Sequence, residues 1–346
     1  MAASTKPKGF YASNFWTDYL SAQRSRLPVL EEVDDGVSDI VVRFLGGNPG
    51  NMQLQGTSTY LVGTGNSRIL IDTGEGNPQW AVNVVRYLED HDVSVSHILL
   101  THWHRDHTGG VADLLAHDAN IAVHKHEPDA DQHDITDGQV FQTEGATLKA
   151  VWTPGHTTDH MCFHLEEEDA LFTGDNVLGH GFSIAEDLEA YTKSLRVMQS
   201  LGCRIGYPGH GDVIRDFPRT IARYIAQRES REQQVYAALV KQASSRASSR
   251  ARGSNYSSDS SSYSSSGSEY SSGDEDDEDM EQGLSITGIG SRLYGDLSVD
   301  SATFESALKP LISQVLVMLA DHGKVSSKVV GIDKQRYWFA RLQSVN

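Results

Sequence analysis

One short segment, THWHRDH at residues 101–107, constrains this chain more than any other feature. His102 and His104 are two positions apart, so at the end of a β-strand both side chains point to the same side. Asp106 and His107 follow on the next turn and can reach a second point close by. Imidazole and carboxylate ligands favour zinc, although iron and manganese accept the same donors. We therefore predict a fold in which a strand ends at this segment and two adjacent divalent metal ions are held there.

Three later segments repeat one pattern, in which a short apolar strand ends in a small-residue turn with one ligand-type side chain. The turns are TPGH, TGD and PGH, and their ligand-type residues are His156, Asp175 and His210. Glycine allows the backbone to pass close to a metal or to adopt a positive φ angle. Core packing alone does not explain three repetitions, so these residues are predicted to complete the metal site.

Other routes to catalysis and other compartments are disfavoured. Cys162 and Cys203 lie outside any nucleophile motif, and the sequence contains no GxSxG. Two cysteines do not make a disulfide framework, which favours a reducing cytoplasm. The sequence has no run of 18 apolar residues for a membrane span, and residues 1–30 lack the continuous apolar region of a secretory signal.

Taken together, these motifs and the ILIDTG segment at 69–74 resemble the metallo-β-lactamase superfamily over about residues 38–243. The resemblance implies a set of ligands for two zinc ions. The first ion would be held by His102, His104 and His156, the second by Asp106, His107 and His210, with Asp175 bridging both. Asp72 would support the site without binding metal, and Asp106 would also be catalytic, orienting water or accepting its proton.

Apolar periodicity predicts an α/β protein in which two mixed sheets lie between helices, with the metals at a sheet edge where strands end. This is the αββα sandwich that the resemblance implies. The predicted divisions are an N-terminal extension at 1–37, a core at 38–218, and a C-terminal helical, winged-helix-like module at 219–243 and 284–346. Long helices are predicted at 219–242 and 302–322, the second followed by the two segments of a wing.

A polar segment at 244–283 separates the two halves of that module. It holds 16 serines and the acidic run DEDDED at 274–279, with almost nothing apolar to bury. We predict that it is disordered, as a solvated insertion or as a phosphorylatable tether. Few basic residues are expected on the module and the acidic run adjoins it, so a role in packing or substrate gating is favoured over nucleic-acid binding.

Several stretches, including GHTTDHM at 155–161 and GDNVLGHG at 174–181, resemble fungal metallo-β-lactamase-type thioesterases. Members of that group act with non-reducing polyketide synthases that lack a release domain. The resemblance implies hydrolysis of an aromatic polyketide, such as atrochrysone carboxylic acid, from an acyl carrier protein. Two alternatives stay open, a glyoxalase II-like glutathione thioesterase and a single-strand RNA endonuclease of the lactamase-β-like 2 type.

The carrier-protein hypothesis makes demands on particular residues. Trp103 and Phe182 are candidates for the walls of a groove beside the metals, although Trp103 could equally pack under the metal loop. An acidic carrier needs a basic patch on a chain whose formal net charge is −18, and Arg223, Arg228 and Arg231 are the candidates. The oligomeric state does not follow from the sequence.

Overall fold

The computed structural model describes residues 27–253, 283–295, 304–330 and 334–341. The described residues form two compact units. The first ends at Gln227, and the second begins at Arg228. The predicted N-terminal extension lies partly outside the described residues, and so does most of the predicted insertion. The predicted domain boundaries stay a prediction.

The first sheet has seven strands that pair in chain order. They are β1 Val33–Asp34, β2 Val41–Leu45, β3 Ser58–Val62, β4 Ser67–Ile71, β5 Ser94–Leu99, β6 Ala122–Lys125 and β7 His133–Asp134. β1 to β4 run antiparallel, whereas β4 to β7 run parallel. The parallel half therefore brings the carboxyl ends of β4, β5 and β6 to one edge of the sheet.

The second sheet has five strands in the order β12-β11-β10-β9-β8. They are β8 Val140–Thr143, β9 Ala146–Trp152, β10 Met161–Leu165, β11 Ala170–Gly174 and β12 Ile205–Pro208. Its pairs are antiparallel except for β11 with β12. Because β11 and β12 are parallel, the turns that carry Asp175 and His210 leave the sheet at the same edge.

The core of this unit lies between the two sheets. Val62 and Ile71 of the first sheet share one buried cluster with Leu148, Phe163 and Phe172 of the second. Burial of each such side chain contributes about 1.5–3 kcal/mol to folding. Since both sheets present alternate residues to this cluster, the register of each strand is determined by which face is apolar.

Helices cover the outer face of each sheet. They are α1 Pro78–Asp90, α2 Arg105–Thr108, α3 Val111–His117, α4 Leu188–Ser200 and α5 Phe217–Gly253. Trp80 of α1 packs with Leu70 and Ile98 of the first sheet, and Tyr191 of α4 packs with Leu171 of the second. Asn77 begins α1 by accepting a hydrogen bond from Gln79 N, and Pro78 stands at the first helical position. The layers are helix, sheet, sheet, helix, so the predicted αββα sandwich is confirmed.

The long helix α5 departs from its predicted bounds. It was expected at 219–242 but begins at Phe217 and continues to Gly253. The first part of the segment predicted to be disordered, residues 244–253, is therefore helical. Arginine and alanine favour helix there, and neither proline nor glycine interrupts the run before Gly253. The prediction gave too much weight to serine content, and residues 254–282 lie outside the described part of the chain.

The second unit is a small helical module with a β-hairpin. Its further elements are α6 Ile286–Tyr294, a π-helical turn Phe304–Leu308, α7 Lys309–Asp321, β13 Val325–Val330 and β14 Gln335–Ala340. α7 packs against α6 and β13, and Leu284 forms an antiparallel bridge with Trp338 of β14. The helix followed by a hairpin agrees with the predicted wing. Among the described residues, no helix combines the length and apolarity needed to cross a membrane.

Candidate metal centre

Loops at the ends of four strands converge on one point of the first unit. His102 and His104 follow β5, and His156 follows β9. Asp175 directly follows β11, and His210 follows β12. Each loop leaves a strand whose apolar residues belong to the core, so the sandwich holds the loops on a rigid support.

The first group of donors consists of His102, His104, His156 and Asp175, whose candidate ligand atoms lie within 4.8 Å of one another. His104 Nδ1 lies 2.9 Å from His102 Nε2 and 3.1 Å from His156 Nε2. Asp175 Oδ2 lies 3.6 Å from His156 Nε2. Three ring nitrogens and one carboxylate oxygen thus face a common centre.

The second group consists of Asp106, His107 and His210, with donor atoms that also converge within 4.8 Å. His210 Nε2 lies 3.5 Å from Asp106 Oδ2. Asp175 Oδ1 completes this group, since it lies 3.4 Å from His107 Nε2 and 3.3 Å from His210 Nε2. Asp175 therefore presents one carboxylate oxygen to each group.

Hydrogen bonds from outside the two groups orient the imidazole rings. His107 Nδ1 donates to Asp72 Oδ2 at 2.7 Å, and Asp72 also accepts from the Thr101 backbone N–H at 2.8 Å. His156 Nδ1 donates to the carbonyl of Ile184 at 2.7 Å. Each bond engages Nδ1 and leaves Nε2 as the ring atom that faces the centre, as in many metal sites. Asp72 adopts a left-handed φ of 58°, a region that non-glycine residues seldom occupy.

Burial sets the protonation of the first group. It lowers the pKa of His102 well below the usual value, and His107 lowers it further. Burial and the neighbouring His156 lower the pKa of His104 to about 4. Both imidazoles are therefore neutral near pH 7, which is the form that binds a metal.

The second group concentrates negative charge. Burial alone would raise the pKa of Asp175, but His210 and His107 outweigh it and hold that pKa well below the usual range. Burial likewise opposes ionisation of Asp106, but the hydrogen bond with His210 outweighs burial and lowers the pKa of Asp106. The pKa of His210 rises to about 9 because its carboxylate neighbours, Asp175 first, outweigh burial. The buried carboxylate of Asp175 and the partly exposed carboxylate of Asp106 are thus ionised and favour a positive charge beside them.

The residues present fit two divalent cations. His107 Nε2 and Asp175 Oδ1 are buried atoms without a hydrogen-bond partner among the described residues. Unpaired buried polar atoms are costly unless something binds them. A set of nitrogen donors and carboxylate oxygens in this number matches zinc, and other first-row metals accept the same donors.

Comparison with known proteins identifies the family. The family model described as the metallo-beta-lactamase superfamily matches residues 53–210. Thioesterase pkgB of Emericella nidulans is 63% identical over 329 residues, which cover 93% of this chain and 94% of that protein. The chain belongs to the metallo-β-lactamase superfamily.

Other members of the superfamily extend the likeness. Lactamase-like protein aptB of Emericella nidulans is 46% identical over 97% of this chain and 98% of its own length. Among solved structures, a beta-lactamase domain protein from Burkholderia ambifaria has a TM-score of 0.65 at 16% identity, covering 92% of this chain and 99% of that one. A metallo-beta-lactamase family protein from Thermus thermophilus has a TM-score of 0.59 at 18% identity, covering 88% of this chain and 100% of that one. At such identities the structures show the shared fold.

Gly209 illustrates why the metallo-β-lactamase turns carry glycine. A Cβ atom at Gly209 would lie 2.7 Å from Asp175 Oδ1 and 2.8 Å from His107 Cε1. Real Cβ atoms do not approach other atoms so closely, and the contacts are with two of the candidate ligands. A side chain at this position would therefore displace the centre itself.

The structure adds two supporting residues that the sequence did not single out. Gln53 Nε2 donates a hydrogen bond to Asp106 Oδ2 at 3.0 Å. No pattern in the polar loop around Gln53 indicates a functional role. The fully buried His160 accepts from the Asp175 backbone N–H at 3.1 Å. Burial, with His156 adding to it, lowers the pKa of His160 well below the usual value, so its ring is neutral. His160 stands in the GHTTDHM stretch, but that resemblance gave it no role.

A buried ion pair supports the His156 loop. Lys125 Nζ lies 3.1 Å from Asp159 Oδ2, and both side chains are buried. Thr157 Oγ1 donates to Asp159 Oδ1 at 2.7 Å. Removing one partner of such a pair leaves an unpaired buried charge, so this pair ties the His156 loop to β6.

The expected groove residues are placed as follows. Trp103 is 41% exposed, and its ring lies 4.4 Å from the His104 ring, so Trp103 does not pack under the metal loop. Phe182 and His180 are partly buried. The structure is therefore compatible with Trp103 forming one wall of a groove beside the candidate metal centre. That Trp103 contacts the substrate stays a prediction.

Proposed function

We propose that this chain is a dinuclear-metal thioesterase that hydrolyses the acyl-carrier-protein thioester of an aromatic polyketide, of the atrochrysone carboxylic acid type, in secondary metabolism. The observation that carries the proposal is the 63% identity with Thioesterase pkgB along 93% of the chain. The convergence of seven donor residues at one edge of the sandwich supports it. The partner would be the carrier domain of a non-reducing polyketide synthase.

We assign one metal ion to each of the two groups of donors. His102, His104 and His156 would hold one zinc ion, Asp106, His107 and His210 the other, and Asp175 would bridge them. When bound, the metal ions supply Lewis acidity towards the thioester carbonyl and lower the pKa of water towards ~7.

The chain's own residues perform the remaining tasks. The ionised Asp106 accepts hydrogen bonds only, so it can orient an attacking water and hold its proton, while Gln53 donates to Oδ2 and restricts the carboxylate. Attack of the water oxygen on the carbonyl carbon breaks the C–S bond. The pantetheine sulfur leaves as a thiolate, and because a thiol pKa is about 8.5, this step needs no separate general acid.

Product release tests the proposal directly. Zinc-loaded protein is mixed with a non-reducing synthase that lacks a release domain and is charged with its polyketide, and the free aromatic acid is followed by mass spectrometry. We expect release with the wild-type protein and loss of release with Asp106→Ala. Hydrolysis of lactoylglutathione without polyketide release would favour the glutathione thioesterase. Metal-dependent cleavage of single-stranded RNA, again without release, would favour the endonuclease.

A further inference from the structure

The hairpin of the second unit is basic although the chain as a whole is acidic. We call residues 324–341 the basic hairpin. Its basic residues are Lys324, Lys328, Lys334, Arg336 and Arg341. One acid, Asp333, stands in the same stretch and lies outside the described residues. Against a formal net charge of −18 for the chain, this is a local reversal of sign, and the expectation of few basic residues on the module is wrong.

The five basic side chains face solvent. All of them are exposed, whereas Val325, Val330 and Trp338 of the same strands are buried. The antiparallel register pairs Val329 with Arg336, and the Arg336 guanidinium lies 5.9 Å from the centre of the Trp338 ring. The buried residues anchor the hairpin to its module, so the charges stand on a rigid element.

A cavity of about 530 Å³ opens at the base of the basic hairpin. Tyr236, His322, Lys324 and Arg341 are among its lining residues. Lys324 is held at one side by an ion pair of 2.8 Å with Glu232. Glu232 also lines the recess, so its rim holds the cations of Lys324 and Arg341 beside one carboxylate, and the space is large enough to admit acidic side chains or a phosphate group.

We propose that the basic hairpin is the docking surface for an acidic face of the acyl carrier domain. This inference rests on the proposed thioesterase function. The arrangement of charge provides the argument, because basic groups on an acidic chain attract an acidic partner to one place and repel it elsewhere. Of the arginines expected to form such a patch, Arg223 is exposed, whereas Arg228 and Arg231 are partly buried.

A folded acidic domain fits this surface better than nucleic acid does. Duplex nucleic acid carries one negative charge about every 1.7 Å along its axis, so it extends far beyond a single hairpin. The remainder of this chain is strongly acidic, and the acidic run at 274–279 begins only nine residues before Gly283, which adjoins the hairpin at Tyr337 and Phe339. A compact acidic face needs only the basic side chains of one hairpin, whereas an extended polyanion would also meet the acidic charge of the remaining chain.

The test compares two substrates that carry the same aromatic acyl group, one on a carrier domain and one on N-acetylcysteamine. The variant is the Lys334→Glu/Arg341→Glu double substitution in the full chain. Arg86→Glu/Lys149→Glu is the matched control, because it makes the same change of charge at exposed positions of the first unit. Circular dichroism confirms that each variant is folded.

We expect the hairpin variant to raise KM for the carrier substrate about tenfold, with kcat unchanged, because charge reversal slows association. Activity on the small thioester should match that of the wild type, and added salt should bring the wild type towards the variant. The control pair should behave as wild type on both substrates.

Three results would overturn the inference. One is an unchanged carrier KM in the hairpin variant, and another is an equal effect in the control. The third is a loss of single-stranded RNA binding without any change in carrier KM, which would identify nucleic acid as the occupant. If the wild type hydrolyses neither thioester, the proposed function fails instead, so the two failures are distinguishable.

Discussion

Two clusters of histidine share strand β5 of the first sheet, one on the strand and one at its end, but differ in what surrounds them. At the strand ends, three imidazoles and Asp175 converge within 4.8 Å. Along the strands, His97, His124 and His133 lie side by side on β5, β6 and β7. His97 Nδ1 lies 3.1 Å from His124 Nε2, and the rings of His124 and His133 are 5.0 Å apart. Within the described residues, this second cluster is not among the convergent metal-binding groups.

The difference lies in carboxylates and ring orientation rather than in the number of histidines. Asp72 orients His107, and Asp175 faces both donor groups at the strand ends. In the second cluster, burial lowers the pKa of His97 and His124, and the neighbouring histidines lower it further. Phe141 packs against both rings. The rings of His97 and His124 in contact with Phe141 and without a carboxylate make a packed, neutral pair, whereas the carboxylates at the strand ends make that set a candidate cation site.

Asp175→Ala should have the largest effect, because Asp175 is the residue shared by both groups. We expect loss of bound zinc, measured by atomic emission, together with a fall in thioesterase kcat/KM of at least about a thousandfold, since several kcal/mol of charge stabilisation is removed.

His97→Ala is the matched control from the second cluster and should keep both zinc and turnover. Full metal content and activity in Asp175→Ala would refute the ligand assignment. Zinc loss in His97→Ala would show that the two clusters do not differ as described.

His160→Ala should have the next largest effect. The neutral ring accepts from the Asp175 backbone N–H, and loss of such a supporting contact costs about 10–100-fold in metal affinity. Competition with a chelator measures the affinity.

His160→Asn, which retains an acceptor, should recover part of that affinity. If the alanine and asparagine variants bind zinc as tightly as the wild type, His160 has no positioning role.

Gln53→Ala should have a smaller effect. One hydrogen bond to Asp106 Oδ2 is removed from a partly exposed side chain, so we expect kcat to fall about three- to tenfold, with zinc content unchanged. Steady-state kinetics with the N-acetylcysteamine thioester measure the change.

Gln55→Ala is a control from the same loop, and it should leave kcat at the wild-type value. An unchanged kcat in Gln53→Ala would mean that Asp106 needs no such restriction.

His124→Gln should have the smallest effect, and only at acid pH. Burial, followed by His97 and His133, lowers the pKa of His124 to about 4, whereas an unfolded histidine has a pKa of about 6.5. Between these values the unfolded chain binds more protons, so His124 costs stability as the pH falls from about 6.5 to 4.

Thermal unfolding between pH 6.5 and 4.5 measures this cost. The melting temperature of His124→Gln should fall less steeply than that of the wild type over this window. Identical slopes would show that His124 does not titrate differently in the folded protein.

Much of the fold was predictable because its pattern is local. Continuous apolar runs around Leu70 and Leu171 indicate strands whose two faces are both covered, and the spacing of Trp80, Val84 and Leu88 indicates an amphipathic helix. The end of α5 was not predictable, since the polar sequence after residue 243 is compatible with both helix and coil.

The candidate site likewise contains residues that the sequence predicted and residues that it did not. Ligand-type residues at glycine-rich strand ends can be recognised in the sequence. Glycine is needed where the backbone passes close to the candidate metal centre, as at Gly209. Gln53 carries no such mark, because its position opposite Asp106 depends on a loop 53 residues away in the chain. His97 and His124 could have been mistaken for ligands by composition alone.

The sequence by itself determined which side chains are available for metal chemistry and which strand ends carry them, since both follow from residue type and local pattern. Only the tertiary structure decided which donors share a centre, which rings are neutral, and where the basic hairpin presents its charge. Those properties depend on distance and burial, and distance and burial exist only after the sheets have packed.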